Sequence, residues 1–370
     1  MLKFLFESFK KMMKENINDF LNTILKGDCI EKLKTIPNES IDLIFADPPY
    51  FMQTEGKLLR TNGDEFSGVD DEWDKFNDFV EYDSFCELWL KECKRILKST
   101  GSIWVIGSFQ NIYRIGYIMQ NLDFWILNDV IWNKTNPVPN FGGTRFCNAH
   151  ETMLWCSKCK KNKFTFNYKT MKHLNQEKQE RSVWSLSLCT GKERIKDEEG
   201  KKAHSTQKPE ALLYKVILSS SKPNDVVLDP FFGTGTTGAV AKALGRNYIG
   251  IEREQKYIDV AEKRLREIKP NPNDIELLSL EIKPPKVPMK TLIEADFLRV
   301  GQTLFDKNEN AICIVTQDGN VKDNEETLSI HKMSAKYLNK TNNNGWDYFY
   351  LFRNNNFITL DSLRYEYTNQ

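Results

Sequence analysis

The 370-residue sequence lacks the features that mark membrane, secreted or metal-binding proteins. No apolar run approaches the roughly 18 residues of a membrane span, and no signal-peptide pattern stands at its start. The cysteines are scattered, and only Cys156 and Cys159 have metal-ligand spacing, without a second such pair or a histidine pair nearby. We therefore expect a cytoplasmic protein with reduced thiols and no bound metal.

A strong net charge is also missing, since the formal charge is +1. The distribution is uneven: residues 158–208 carry 14 Lys/Arg against 6 Asp/Glu, whereas residues 47–92 carry 4 against 13. A polyanion is therefore expected to meet the middle of the chain. Aromatic residues interleave with the lysines there, which suits base stacking and phosphate contacts. A solvated basic surface is the alternative interpretation.

The first informative stretch is the apolar run 41–46, which predicts a buried strand. Asp47-Pro48-Pro49-Tyr50 follows it, and the prolines end the strand because they cannot donate ladder hydrogen bonds. The turn holds a carboxylate, carbonyl groups and an aromatic ring close together, as a planar ring bearing an amine requires. A strand simply ended by prolines explains these four residues equally well.

A glycine loop is the second informative stretch. Gly233-Thr234-Gly235 lies between a predicted strand and a predicted helix, and Glu252 ends the following strand. Such a carboxylate accepts hydrogen bonds from ribose hydroxyls in nucleotide-binding sheets. The loop has no third glycine to bring a helix against a pyrophosphate, so a nucleoside without a diphosphate fits better than NAD. A tight strand–helix turn is the structural alternative.

The alternation of strands and helices predicts an α/β fold with a doubly wound, mostly parallel sheet. A long loop is expected at 51–83, and the helix after it is expected to start at Asp83 or Ser84 and to close at Gly101. The predicted division of the chain is a leader over 1–20 (Met13 being an alternative start), a main domain over 21–269, a proline-rich linker over 270–290 and a small α+β module over 291–370. The strands are predicted at 41–46, 103–106, 125–132, 152–156, 225–229 and 248–252, and the shorter helices at 112–122 and 239–244.

The two motifs together resemble the amino-methyltransferases of DNA, which use S-adenosylmethionine. Their order, catalytic turn first and glycine loop later, resembles the β group of that family. Asn136–Phe141, Asn148–Thr152, Gly191–Arg194 and His204–Glu210 look like the GANTC-specific adenine methyltransferases of the HinfI and CcrM subfamily. The stretch 291–305, with Asn344-Gly345-Trp346, is similar to their C-terminal DNA-binding module. His204-Ser205 departs from the more usual His-Pro, while Thr206-Gln207-Lys208-Pro209 is intact.

The resemblance implies a Rossmann-like class I fold with permuted motif order and a target-recognition insert at about 135–203. It implies that Asp47 and the Pro48 carbonyl accept hydrogens of the exocyclic amine of adenine while Tyr50 stacks on the base, which must leave the duplex. Asp28 is equally explained as a helix cap. The implied cofactor contacts are Asp28, Cys29, Phe231, Gly233, Gly235, Thr236, Glu252, Thr206 and Lys208; the implied DNA contacts are Arg145, Arg181 and Trp184.

The expected partner is double-stranded DNA, which would place the protein at the nucleoid. The resemblance also suggests a homodimer and leaves open a cognate restriction endonuclease that shares the site. The alternatives are an N4-cytosine methyltransferase, an inactive sequence-specific DNA-binding protein and a protein glutamine methyltransferase. Asp rather than Ser at position 47 and the GANTC-type segments favour adenine, and protein glutamine methyltransferases typically carry Asn before Pro-Pro-Tyr.

Overall fold

A computed structural model describes residues 16–51, 58–59, 65–66, 74–140, 142–196, 200, 202–204, 206–270, 272, 285–353 and 356–368. The chain divides into two compact units, 1–281 and 282–370. The first 15 residues of the predicted leader, most of the loop 51–83 and most of the linker 270–290 lie outside the described residues. Among the described helices, none has both the length and the apolar character needed to cross a membrane.

The first unit contains an eight-stranded mixed sheet and a separate two-stranded sheet. The strands are β1 Thr23–Lys26, β2 Ile41–Ala46, β3 Leu58–Leu59, β4 Glu65–Phe66, β5 Leu97–Gly107, β6 Trp125–Lys134, β7 His150–Ser157, β8 Val183–Leu186, β9 Val226–Asp229 and β10 Asn247–Glu252, and β3 pairs with β4 in the small sheet. The order in the large sheet is β1-β10-β9-β2-β5-β7-β6-β8. Its first five strands in space, β1, β10, β9, β2 and β5, are parallel; β7 is antiparallel to both neighbours, and β8 is parallel to β6. This confirms the predicted mostly parallel α/β fold.

Helices cover both faces of the sheet, so successive residues of the central strands enter different cores. Ile44 packs in one hydrophobic cluster, whereas Leu43 and Phe45 pack in the other, as the two-residue period of a strand requires. The helices are α1 Cys29–Thr35, α2 Phe79–Ile96, α3 Ile112–Asn121, α4 Tyr168–Leu174, α5 Glu210–Ser220, α6 Thr236–Ala243 and α7 Gln255–Glu267.

The predicted bounds of α2 are wrong at both ends. The helix begins at Phe79, where Asp78 is the N-cap and accepts from the Glu81 amide at 2.9 Å. Phe79 and Val80 are exposed, so the first turn breaks the apolar periodicity on which the prediction depended. Gly101 lies inside β5 rather than at the helix end, and a Cβ there would stand 2.9 Å from the Asp42 carbonyl oxygen.

The second unit is a separate α+β module with its own core. Its antiparallel sheet has the order β14-β13-β12-β11-β15-β16, and Leu304, Phe349 and Leu351 are fully buried against its helices. The strands are β11 Thr303–Phe305, β12 Ala311–Val315, β13 Val321–Lys322, β14 Thr327–Leu328, β15 Tyr350–Arg353 and β16 Asn356–Thr359, and the helices are α8 Met289–Glu294, α9 Ile330–Tyr337, α10 Gly345–Tyr348 and α11 Ser362–Thr368.

Candidate active site

A cavity of about 300 Å³ opens at the carboxyl ends of β1, β2, β9 and β10 in the first unit. Open α/β sheets bind ligands at this edge, and the volume is at the lower end of the roughly 300–1,000 Å³ usual for ligand pockets. The sheet therefore brings together most of the predicted site residues. Those that line the cavity are Asp28, Cys29, Asp47, Pro48, Tyr50, Thr206, Phe231, Gly233 and Glu252.

Glu252 is held by the backbone of two neighbouring loops. Its carboxylate accepts from the Gly233 amide at 2.8 Å and from the Glu254 amide at 2.9 Å. Burial raises the pKa of Glu252, and these backbone bonds oppose that rise. A carboxylate has about four acceptor positions, so this fixed group keeps acceptor capacity toward the cavity.

Asp229, which sequence reasoning missed, holds the glycine loop from beneath. Its two oxygens accept from the Phe231 amide at 2.9 Å and from the Thr237 hydroxyl at 2.5 Å, so one buried carboxylate connects the start of the loop to α6. Burial raises the pKa of Asp229 to about 7. The pattern of a strand ending in Asp before a glycine loop is the signal that identifies such a residue.

Gly235 and Thr236 lie away from the main cavity. Gly235 has φ +75°, and a Cβ there would stand 3.0 Å from the Ala261 Cβ. A side chain at this position would therefore be both strained and crowded, and the expected contact of Gly235 with the cofactor stays a prediction. Thr236 and Lys208 line a smaller adjoining cavity.

Asp28 is the N-cap of α1, as one interpretation of the sequence expected. Its Oδ1 accepts from the Glu31 amide at 3.1 Å. Asp28 also lines the cavity, and its contact with the cofactor stays a prediction. Cys29 follows it as a buried, neutral thiol, because burial raises the pKa of Cys29 to about 12.

The Asp47–Tyr50 turn places the Asp47 carboxylate between two donors. Oδ1 accepts from the Tyr50 hydroxyl at 2.9 Å, and Oδ2 accepts from the Lys208 ammonium at 2.6 Å. Burial raises the pKa of Asp47, and the Lys208 charge opposes that rise. Lys208, an expected cofactor contact, pairs in this structure with the Asp47 carboxylate. Among the hydrogen bonds of the described residues, none reaches the Pro48 carbonyl oxygen.

Glu151 completes this group and was not predicted as a site residue. Its Oε2 lies 3.1 Å from the Tyr50 hydroxyl, whose single hydrogen is shared between Asp47 and Glu151, and 3.8 Å from the Lys208 ammonium, while Oε1 pairs with Lys134 at 2.8 Å. Burial would raise the pKa of Glu151, but the two lysines hold it below its usual range. Glu151 lies 101 residues from Tyr50 in sequence, so no local pattern signals the contact.

Asp74, also missed, fixes the backbone of the turn. Its Oδ1 accepts from the Tyr50 amide at 2.5 Å and from the Phe51 amide at 2.8 Å. Phe51 has φ +51°, a left-handed conformation that is uncommon for a bulky residue and is found where the surroundings impose it. The buried Tyr82 hydroxyl donates to the Pro49 carbonyl at 2.9 Å. The turn is therefore held on both sides by side chains from distant segments.

The predicted DNA contacts differ in exposure. Arg145 is exposed beside the Phe109 ring, and Arg181 is exposed before β8. Trp184 is only 5% exposed, and its indole N–H donates to the Arg181 carbonyl at 2.8 Å. The Trp184 ring packs in the core, so the expectation that it contacts DNA is corrected: the alternation of β8 turns it inward.

The sequence of this chain matches a known protein family. Residues 41–263 match the family model for N6 and N4 amino-methyltransferases, described as DNA methylase. The chain belongs to this DNA methylase family. The matched range contains both the Asp47–Tyr50 turn and the glycine loop.

Individual relatives agree with this assignment. The chain is 43% identical over 244 residues to the Type II methyltransferase M2.LlaDCHI of Lactococcus lactis subsp. cremoris, covering 65% of this chain and 88% of the relative. It is similar to the crystal structure of the M1.HpyAVI–SAM complex, with a TM-score of 0.50, 28% identity, and coverage of 66% and 98% of the two chains. The PvuII cytosine-N4-specific DNA methyltransferase shares the fold, with a TM-score of 0.52, 21% identity, and coverage of 70% and 90%.

These findings confirm the prediction of a DNA methyltransferase that depends on S-adenosylmethionine. The cavity fits that cofactor in charge as well as in place. Five Asp/Glu residues line it against two Lys/Arg residues, and the cofactor carries a net positive charge, with a sulfonium and an ammonium group against one carboxylate. Aromatic rings of Phe85, Phe231 and Tyr257 supply apolar walls for its adenosine.

Proposed function

We propose that this chain methylates the exocyclic N6 of an adenine that leaves duplex DNA, at the site GANTC. The observation that carries the proposal is the shared cavity: Asp47, Pro48 and Tyr50 line the same space as Gly233 and Glu252. An acceptor turn and a nucleoside site thus face each other. Asp at position 47 and the segments similar to the HinfI and CcrM subfamily support adenine and GANTC.

The cofactor side of the cavity serves binding and orientation. Glu252, already fixed by two backbone donors, is placed to accept from ribose hydroxyls. Gly233 has no side chain that would block the amino-acid end of the cofactor, and Phe231 and Asp28 line the space beside this glycine. When bound, S-adenosylmethionine supplies an electrophilic methyl carbon on its sulfonium.

The base side of the cavity activates a poor nucleophile. The lone pair of N6 is delocalised into the adenine ring, and accepting the N6 hydrogens at Asp47 and the Pro48 carbonyl would turn that lone pair toward the methyl group. Tyr50 would stack on the flipped base. As the bond from N6 to the methyl carbon forms, the bond from sulfur to that carbon breaks, and N6 releases one hydrogen as a proton that the hydrogen-bonded Asp47 carboxylate is placed to accept. A direct in-line transfer needs no protein nucleophile, so positioning and electrostatics supply most of the rate.

Product analysis tests the proposal. Duplex DNA containing GANTC sites is methylated with labelled cofactor and digested to nucleosides, and the modified bases are also located by sequencing. We expect N6-methyladenine at GANTC. N4-methylcytosine would instead support the alternative that PvuII methyltransferase exemplifies, and DNA binding without transfer would support an inactive binding protein.

The proposal extends to the domains. We assign target recognition to the insert at about 135–203, where Arg145 and Arg181 are exposed, and DNA binding to the module 291–370. The same resemblance suggests a homodimer and leaves open a cognate restriction endonuclease that shares the site.

Deleting residues 291–370 tests the assignment of the module. We expect weaker specific binding to duplex DNA at physiological salt, because the phosphate and base contacts of the module are lost, while cofactor affinity is kept. Unchanged DNA affinity would remove DNA binding from the functions of this module.

A further inference from the structure

The buried charges around the catalytic turn come from distant segments and are balanced. Asp47 and Glu151 supply two carboxylates, and Lys134 and Lys208 supply two ammonium groups. The Tyr50 hydroxyl lies between the carboxylates, 2.9 Å from Asp47 and 3.1 Å from Glu151. All four charged side chains are less than one-fifth exposed, so leaving any one of them without a counter-charge is costly.

This arrangement limits the strength of Asp47 as an acceptor. Its Oδ1 lies 2.9 Å from the Tyr50 hydroxyl, which Glu151 shares, and its Oδ2 accepts from the Lys208 ammonium. A carboxylate has about four acceptor positions, so the amine of a target base can bind to Asp47 with both partners in place, but the adjacent ammonium charge weakens that carboxylate as an acceptor. Moving the Lys208 ammonium away from Oδ2 strengthens the acceptor, and a buried ammonium then needs another carboxylate within reach.

We propose that Glu151 is the positioning residue that receives Lys208 when Asp47 engages the target amine. This rests on the proposed function. Oε2 of Glu151 lies 3.8 Å from the Lys208 Nζ, so a small rotation of the lysine side chain converts that approach into a direct bond. Lys134 holds the other oxygen, Oε1, at 2.8 Å, which keeps the carboxylate in place during the exchange.

A double-mutant cycle measures this exchange. Single-turnover methylation is followed in the unmodified chain, Glu151→Gln, Lys208→Met and the double variant, together with cofactor affinity. We expect Glu151→Gln to slow transfer about tenfold in the unmodified background and less than about twofold when Lys208 is already Met. Cofactor affinity is expected to stay unchanged in Glu151→Gln, because Glu151 is not among the residues that line the main cavity.

Matched variants separate the exchange from a loss of folding. Glu151→Asp keeps the charge and should recover most of the rate. Asp42→Asn makes the same carboxylate-to-amide change in an ion pair with Lys98 (2.8 Å) near the opposite end of β2, and should leave the rate unchanged.

Two results overturn the inference while leaving the proposed function standing: an unaltered rate in Glu151→Gln, or an equal loss in both Lys208 backgrounds. The second would mean that Glu151 acts independently of Lys208. A complete absence of transfer by the unmodified chain would instead overturn the proposed function and the inference together.

Discussion

The two sides of the cavity are built in different ways. On the cofactor side, Glu252 is fixed by backbone amides, one of them 19 residues away. On the base side, Asp47 is fixed by charged and phenolic side chains, with Lys208 lying 161 residues away. The first side depends on loop geometry, and the second depends on a balance of buried charge.

The difference determines how each side responds to substitution. Backbone amide donors remain when a side chain is replaced, so a substitution on the cofactor side should leave the neighbouring hydrogen bonds in place. Removing one member of a balanced buried charge group leaves its partner unpaired, so a change on the base side should spread to the others. Each side nevertheless has two carboxylates with the same division of roles. One lines the cavity, Asp47 on the base side and Glu252 on the cofactor side. The other holds the adjoining loop by hydrogen bonds, Asp74 on the base side and Asp229 on the cofactor side.

The largest effect is expected for Asp47→Ala. The variant loses the acceptor for the target amine and leaves Lys208 without its closest partner, so single-turnover transfer should fall about a thousandfold or more. Cofactor affinity, measured by calorimetry, should change little because Glu252 is held independently. Substantial residual methylation, with Asp42→Asn as the active control, would show that Asp47 is not the acceptor.

The next largest effect is expected for Asp74→Ala. The change leaves the Tyr50 and Phe51 amides without the acceptor that holds them, which should cost about 3 kcal/mol in the free energy of unfolding. Because both amides donate to the same oxygen, Asp74→Asn retains an acceptor and should restore most of the stability. Urea titration of the two variants makes the comparison, and an equal loss in both would mean that the charge, not the acceptor, matters.

The same contrast explains what could be predicted from the sequence. The sheet, the glycine loop and Glu252 follow from local patterns, because apolar runs, prolines and glycines specify their own backbone. The N-cap role of Asp28 was predicted for the same reason. Glu151 and Asp74 were missed because their contacts with Tyr50 span 101 and 24 residues, and Trp184 was misassigned because composition does not show which face of a short strand is buried.

On the cofactor side, Glu252→Gln should weaken cofactor binding by about thirtyfold, near 2 kcal/mol. The amide nitrogen of Gln cannot accept, so either the Gly233 or the Glu254 amide loses its partner, and an acceptor for the ribose is lost. Transfer at saturating cofactor should be reduced far less than in Asp47→Ala. A similar loss of the saturated rate would contradict the independence of the two sides.

The smallest effect is expected for Asp229→Asn, and it should appear as a pH dependence. Burial raises the pKa of Asp229 to about 7, above the value of about 3.9 expected in the unfolded chain. The folded state therefore binds the extra proton, and stability is lost as the pH rises through 7, by about 1.4 kcal/mol between pH 6 and pH 8. The Asn side chain keeps an acceptor for the Phe231 amide but does not titrate, so its unfolding free energy should lack this component. Urea titrations of both proteins at the two pH values test this, and identical pH slopes would show that Asp229 is ionised throughout the range.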